Sequence, residues 1–324
     1  MMRFDVAIIG AGLAGNLLAR QLRRTLPHLE IGLFEKNMTT SFKVGESMVE
    51  MASNYLIRRL GLSSYLYSQH LPKNGLRFFF DSPQKNVALS RMSEIGGISF
   101  PCHPGFQLDR SRFEADLQRM NKEDGISIHL GTKVENLQLG STQKGSSDHR
   151  FLIACETGEQ KCSARWLIDA SGRSSVLAKN LGLRIPEPHH NLFAVWGRFR
   201  GVDDWDSVGP DEFRERIRYS SRMLSTNHFC YPGYWIWFIP LGRGITSIGV
   251  VGEFAPLLNS GLDSKENFLS FLRSHFAIST LINGAEFIDI GSYKRLAYNT
   301  QQYFSECRWG VTGEAAAFTD QVGS

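Results

Sequence analysis

Ten residues into the chain stands its first run with the types and spacing to do chemistry. Gly10-Ala11-Gly12-Leu13-Ala14-Gly15 is G-x-G-x-x-G. Such a run grips a pyrophosphate when a strand precedes it and a helix follows. The first glycine makes the tight turn, the second lets backbone N–H groups approach the phosphates at the helix N-terminus, and the third lets helix and strand pack closely. The flanking sequence supplies both elements. Asp5 to Ile9 is a short apolar, β-branched run that reads as a buried parallel strand. Leu17, Leu18, Leu22 and Leu26 then recur at helical spacing, and Ile31 to Glu35 reads as a second parallel strand. Glu35 ends that strand, with Lys36 beside it, where a carboxylate accepts ribose hydroxyls. The unit predicts a dinucleotide site built from Gly10, Ala11, Gly12, Leu13, Ala14, Gly15, Glu35 and Lys36.

Two further runs hold chemistry-bearing residues. In Trp235-Ile236-Trp237-Phe238-Ile239-Pro240 strand alternation puts both indoles on one face, either as core packing or as the wall of a site. In Lys73-Asn74-Gly75-Leu76-Arg77-Phe78 a lysine stands just before an apolar strand. Around these, Met48 to Leu60 and Arg110 to Asn121 read as helices, and Arg165 to Asp169 and Trp309 to Gly313 as buried strands. From Leu192 to about Tyr298 the pattern changes. Thr226–Tyr231, Tyr234–Ile239 and Ile245–Val251 suggest an antiparallel sheet, with helical patches at 211–219 and 264–275.

Composition narrows the classes. The chain has 324 residues, a formal net charge of +4 and 42% hydrophobic residues, enough for one large α/β domain or two sharing a core. The basic excess is too small and dispersed for a nucleic-acid surface. Five cysteines include no C-x-x-C pair, and His189 and His190 are adjacent, which suits no single metal, so no metal site is expected. No signal peptide and no membrane span is read, and a cytoplasmic protein is expected.

Later segments choose the dinucleotide by resemblance. Leu167-Ile168-Asp169-Ala170-Ser171-Gly172-Arg173 resembles the Asp-Gly motif of flavoprotein hydroxylases, and Trp309-Gly310-Val311-Thr312-Gly313-Glu314-Ala315-Ala316 resembles their closing Gly-Asp motif, with Glu314 in the acid's place. Phe106 to Glu114 resembles their Arg-x-x-Phe-Asp helix start, with Arg110 as its arginine. The resemblance implies FAD, with Arg110, Asp169, Gly172, Gly313, Glu314 and Ala315 near it. The implied fold is α/β: a Rossmann-like FAD-binding domain with a parallel sheet (residues 1–75, 105–185 and 300–324), interrupted by a mostly antiparallel substrate domain (76–104 and 186–299).

W-x-W-x-I-P at Trp235–Pro240, Lys-x-Gly-x-x-Phe at Lys73 and the Gly45-Glu46-Ser47 segment together resemble the flavin-dependent halogenase family. That resemblance implies reduced FAD supplied by a flavin reductase, then O2 and halide acting on an electron-rich small molecule, free or tethered to a carrier protein. Lys73 would hold the halogenating oxidant, Trp235 and Trp237 would keep the substrate from the flavin, and Gly45, Glu46 and Ser47 would line it. Phe318 to Ser324 departs from the family, with Gln321 where a proline is usual. The halide site falls at Ser324, and a C-terminal helix with any later region is expected to be missing. An FAD-dependent monooxygenase, an isoprenoid-type reductase and a non-catalytic flavin-binding scaffold stay open as alternatives.

Overall fold

The structure is a computed structural model. It describes all residues except 141–147, 157, 190, 218, 254–256, 258, 295–296 and 319–324. The chain divides into two units, the first formed by Met1–Lys43, Arg110–Glu187 and Ala297–Thr319.

The first unit is built on parallel ladders. Its central strands are Met2–Ile9 and Gly158–Asp169, flanked by Ile31–Phe34, Ser127–His129 and Trp309–Val311. The order runs 304–305, 309–311, 158–169, 2–9, 31–34, 127–129. Met2–Ile9 pairs in parallel with Ile31–Phe34 on one side and Gly158–Asp169 on the other. Ile31, Leu33 and Phe34 are all buried, as befits a strand covered on both faces. Gly158–Asp169 begins earlier than the expected Arg165, because its first half pairs antiparallel with His149–Cys155. The Leu13–Thr25 helix and the Arg110–Glu123 helix pack on this sheet, joined by buried Asn16 and Asn121: the Asn121 amide donates to the Asn16 carbonyl at 3.0 Å.

The second unit holds Val44–Asp109 and Pro188–Leu296. Its seven-stranded sheet runs Glu286–Lys294, Leu192–Arg200, Ile245–Glu253, Tyr234–Gly242, Thr226–Tyr231, Leu76–Phe80, Ser93–Gly96. Every neighbouring pair is antiparallel except Thr226–Tyr231 with Leu76–Phe80. The expected mix of a parallel and a mostly antiparallel sheet is therefore present. One sheet face buries Phe79, Phe229, Ile236, Phe238, Ile248 and Val250 under the Lys265–Arg273 and Phe276–Leu281 helices.

The units do not follow the expected boundaries, and the reason is pairing. Residues 44–75 go with the second unit: the Met48 N–H donates to the Phe106 carbonyl, and Glu46 pairs with Arg198. Two local expectations also change. The helix read over 48–60 is Glu50–Asn54 followed by a π-helical turn at Tyr55–Arg59, with Leu56 and Leu60 both fully buried. Among the described residues, the patch read over 211–219 is helical at Asp211–Glu215.

Candidate active site

In the first unit, Gly10–Gly15 forms the turn between Met2–Ile9 and the Leu13–Thr25 helix. Gly10 has φ +102°, and a Cβ there would lie 2.4 Å from the Ala170 carbonyl oxygen, so only glycine makes this turn. The side chains of Asn16 and Gln118 donate to the Ala11 carbonyl, and Asn16 also donates to Gly12. With the carbonyls held inward, the helix begins at Gly12 with no side-chain cap and no acidic residue in its first turn. Open N–H groups and a positive dipole end suit a pyrophosphate. A Cβ built on Gly12 meets nothing nearer than the Lys43 ammonium at 3.9 Å and Glu114 Oε2 at 4.0 Å. The loop thus presents open space beside a cation, which fits the phosphates of a dinucleotide.

Lys43 is held at 2.6 Å by fully buried Glu114, whose other oxygen accepts from Arg110 Nε at 3.0 Å. Arg110 is therefore an anchor within a Lys43–Glu114–Arg110 cluster. Lys43 and Glu114 had no role assigned from sequence, although Glu114 lies one helical turn after Arg110. Glu35 stands half-buried at the end of its strand and accepts the Ala11 N–H at 3.0 Å and the Asn37 N–H at 3.0 Å. Each carboxylate oxygen keeps a second acceptor position for a ribose hydroxyl. Lys36, next to it, is exposed.

Asp169 is fully buried, and its oxygens accept from Ser171 N–H at 2.9 Å and Leu177 N–H at 2.6 Å. Burial pushes its carboxyl pKa up despite these bonds. Its contacts order the turn containing Gly172, which has φ +61°. Gly313–Ala315 is a single 3-10 turn, and a Cβ on Gly313 would lie 2.7 Å from the Ala14 Cβ. The closing motif therefore sits directly against the start of the glycine-loop helix. The Glu314 carbonyl accepts the Tyr298 hydroxyl at 2.6 Å.

The second unit gathers the other residues. Exposed Gly45 has φ +87°. Glu46 and Arg198, both 1% exposed, form an ion pair at 2.8 Å that ties this segment to the Leu192–Arg200 strand. Ser47 shares a hydrogen bond with Thr226 at 2.7 Å and bridges to Gln107. Gln107 is fully buried, and neither atom of its amide has a hydrogen-bond partner among the described residues. A buried amide left open costs about 1–3 kcal/mol, so it marks a place built for a polar ligand. Replacing it by leucine should raise the melting temperature of the apoprotein by a few degrees. Calorimetry checks this, and an unchanged or lower melting temperature shows that the amide is not left open.

Lys73 ends the short strand Leu71–Lys73, which pairs with Gly105–Gln107. The side chain runs over Gly105, where a Cβ would come within 3.3 Å of Lys73 Cδ. Lys73 is 1% exposed, and its side chain makes no ion pair or hydrogen bond among the described residues. Burial pushes its ammonium down to about 8, against a weak opposing pull from Glu50.

Trp235 and Trp237 share a sheet face, and Ile236 and Phe238 turn to the core on the other. One register row crosses the whole sheet: Gly291, Trp196, Gly249, Trp237, His228, Phe78, Ile95. A Cβ on Gly249 would stand 2.1 Å from the Trp237 ring, and one on Gly291 2.7 Å from the Trp196 ring. Both indoles therefore lie flat across the neighbouring strand only because it carries glycine there. His228 stacks on Phe78 with ring centroids 5.1 Å apart. Burial and the Lys73 charge push His228 down to about 4, so it is neutral near pH 7. Trp196, His228 and Gly249 were not singled out from sequence, because a row across strands is visible only once the register is known. Ser324, the expected halide residue, lies outside the described residues.

Comparison with known proteins agrees with this arrangement. Residues 3–214 match the family model of the FAD binding domain. The chain is 30% identical over 98% of its length to the flavin-dependent halogenase chlA of Dictyostelium discoideum, of which it spans 56%. It is 24% identical over 98% of its length to the 1H-pyrrole-2-carbonyl-[peptidyl-carrier protein] chlorinase of Pseudomonas fluorescens, covering 71% of that protein. In fold it is similar to the halogenase PltM solved in complex with phloroglucinol and FAD, with a TM-score of 0.79, 21% identity and coverage of 98% of this chain and 65% of that one. No helix among the described residues is long and apolar enough to cross a membrane. With its glycine loop, its closing turn and a family match over 3–214, the chain belongs to the FAD binding domain family.

Proposed function

We propose that this chain is the FAD- and substrate-binding part of a flavin-dependent halogenase. The observation that carries the reading is Lys73: an enclosed lysine with no ion pair within 4 Å among the described residues, its ammonium lowered to about 8 by burial that outweighs the Glu50 charge, within electrostatic reach of His228 in the Trp237 row. Similarity to named halogenases over 98% of the chain supports it. A flavin reductase is the partner that supplies reduced FAD, and halide is the co-substrate. The cytoplasm is the proposed location, in keeping with the absence of disulfides among the described residues.

FAD would lie on the Gly10–Gly15 loop, with Lys43 beside its phosphates, Glu35 at its ribose and Gly313–Ala315 closing the loop. Bound there, it supplies the reaction with O2 by which halide becomes hypohalous acid. The lysine then acts in either of two states. As ammonium it hydrogen-bonds the oxygen that departs from the halogen. As neutral amine, about a tenth of the population near pH 7 by its lowered pKa, it attacks the halogen. An N–halogen bond forms, the halogen–oxygen bond breaks, and the hydroxide leaves as water with a proton from nitrogen. Trp235 and Trp237 form an apolar wall, so that the halogen, rather than oxygen, reaches the organic substrate.

The test uses the full-length protein with FAD, a flavin reductase, chloride or bromide, and a panel of phenols, pyrroles and indoles, free and carrier-tethered. Mass spectrometry should find products gaining one halogen and losing one hydrogen. Products gaining oxygen instead make it a monooxygenase, turnover without O2 makes it a reductase, and FAD binding with no turnover at all makes it a scaffold.

A further inference from the structure

A cavity of about 350 Å³ opens on the Trp235 face of the second unit, walled by Phe78, Leu192, Cys230 and Trp235 with His228 among them. That volume takes one or two aromatic rings. The walls are mostly apolar, and the neutral imidazole is the buried hydrogen-bond acceptor among them, with the exposed Glu253 carboxylate also on the lining. His228 is 3% exposed, and backbone groups of Arg77 and Thr226 lie within hydrogen-bonding range of its ring. Nδ1 is enclosed, which leaves Nε2 as the nitrogen for a ligand in the cavity that the ring lines. Phe78, stacked on the imidazole, fixes its plane.

Resting on the halogenase reading above, we propose that His228 is the proton acceptor for the hydroxyl of a phenolic ring bound in this cavity. The hydroxyl donates to the neutral imidazole, which orients the ring. A carbon–halogen bond then forms at a ring carbon as the halogen leaves its oxygen or nitrogen carrier. Electron density flows from the phenol oxygen into the ring, and the hydroxyl proton passes to His228. The ring C–H proton of the resulting dienone shifts to its oxygen, restoring a phenol, and His228 gives its own proton to the hydroxide or deprotonated amine left behind, as water or amine. The halogenating species is hypohalous acid or the Lys73 haloamine, and no further oxidant is needed. Lys73 and His228 thereby divide the work: one handles the halogen and the other the proton. The low proton affinity of His228, set by burial and by the Lys73 charge, keeps it neutral, so that it accepts the hydroxyl hydrogen bond and takes the proton only as the halogenated ring turns its hydroxyl into a strong acid.

The experiment compares 1,3-dihydroxybenzene with 1,3-dimethoxybenzene in the FAD-loaded full-length protein. Binding is measured by titration calorimetry and product by mass spectrometry, for the parent, His228→Phe and His228→Gln. The parent should bind the phenol about tenfold more tightly than its ether, and His228→Phe should bring that ratio near one while retaining FAD. His228→Gln keeps an acceptor and should retain much of the binding preference, yet lose turnover because an amide takes no proton. If all three proteins show the same phenol-to-ether ratio in binding and turnover, the proposal is overturned and the halogenase reading stands. If the ratio collapses in His228→Phe but the parent never halogenates, the hydroxyl-recognising role stands and the halogenase reading falls. A parent that binds neither ring overturns the cavity assignment itself.

Discussion

Methionine in place of Lys73 should abolish halogenated product and at the same time make the protein more stable. The two effects have one cause. Lys73 is enclosed, and burial, outweighing the Glu50 charge, lowers its ammonium from 10.5 to about 8. That difference corresponds to about 3 kcal/mol that the fold forgoes at neutral pH to keep a charge there. Methionine matches the length and apolar stem, removes the charge, and recovers up to that amount. The sign with pH follows from proton counting. Between pH 8 and 10.5 the unfolded chain binds more protons at this lysine than the native one, so the parent gains stability as pH rises through that window. The methionine advantage is therefore full below pH 8 and disappears by about pH 10.5. Urea unfolding of the apoprotein at pH 7 and pH 10 reads this directly. Alanine would also lose product but should not stabilise, since it leaves a cavity. Arginine should fail too, because its fixed charge never passes through a neutral amine. FAD affinity should change little in all three. A methionine variant that halogenates like the parent removes Lys73 from the chemistry, and one that is no more stable shows that the ammonium is not confined.

Lys73 also shows where sequence reading stops. Its motif was legible, and so was the indole alternation at Trp235 and Trp237, because both are local in the chain. Its burial was not. Lys73-Asn74-Gly75 has the composition of a loop, and what encloses it is a ladder to Gly105–Gln107, about thirty residues away. The same holds for His228, whose importance comes from lying between Trp237 and Phe78 in a register row. The strand, glycine turn and helix at the start of the chain were legible, since they follow one another within 35 residues. Roles carried over by resemblance fared differently once contacts were known. Asp169 spends both oxygens on its own turn, and Glu46 spends one on Arg198. Lys43, beside Gly12, emerged only when Glu114 was seen to hold it there. The domain boundary at 75 failed for the same reason: the pairings of 44–48 are long-range.

Gly12→Val should give a folded protein that has lost FAD. The three loop glycines differ in what a side chain would meet. At Gly15 a Cβ would stand 1.9 Å from the Gly10 carbonyl oxygen, a clash with backbone that cannot yield. Gly15→Val should therefore fail to fold, and its lack of flavin would say nothing about the cofactor. Gly10 is held to glycine by its φ of +102°. At Gly12 the backbone is extended, φ −75° and ψ −166°, which suits a β-branched residue. The nearest atoms to its Cβ are the Lys43 ammonium at 3.9 Å and Glu114 Oε2 at 4.0 Å, ordinary contacts that displace nothing. The apoprotein should keep its stability within about 0.5 kcal/mol. What the valine does occupy is the approach by which phosphate oxygens reach the helix N-terminal N–H groups. Affinity should fall on the order of a thousand-fold, about 4 kcal/mol. Circular dichroism and the flavin absorbance of the purified variant give the two readings side by side. Stoichiometric flavin in a folded Gly12→Val would place the dinucleotide elsewhere. An unfolded Gly12→Val would make this glycine, like Gly15, a requirement of packing rather than of the cofactor.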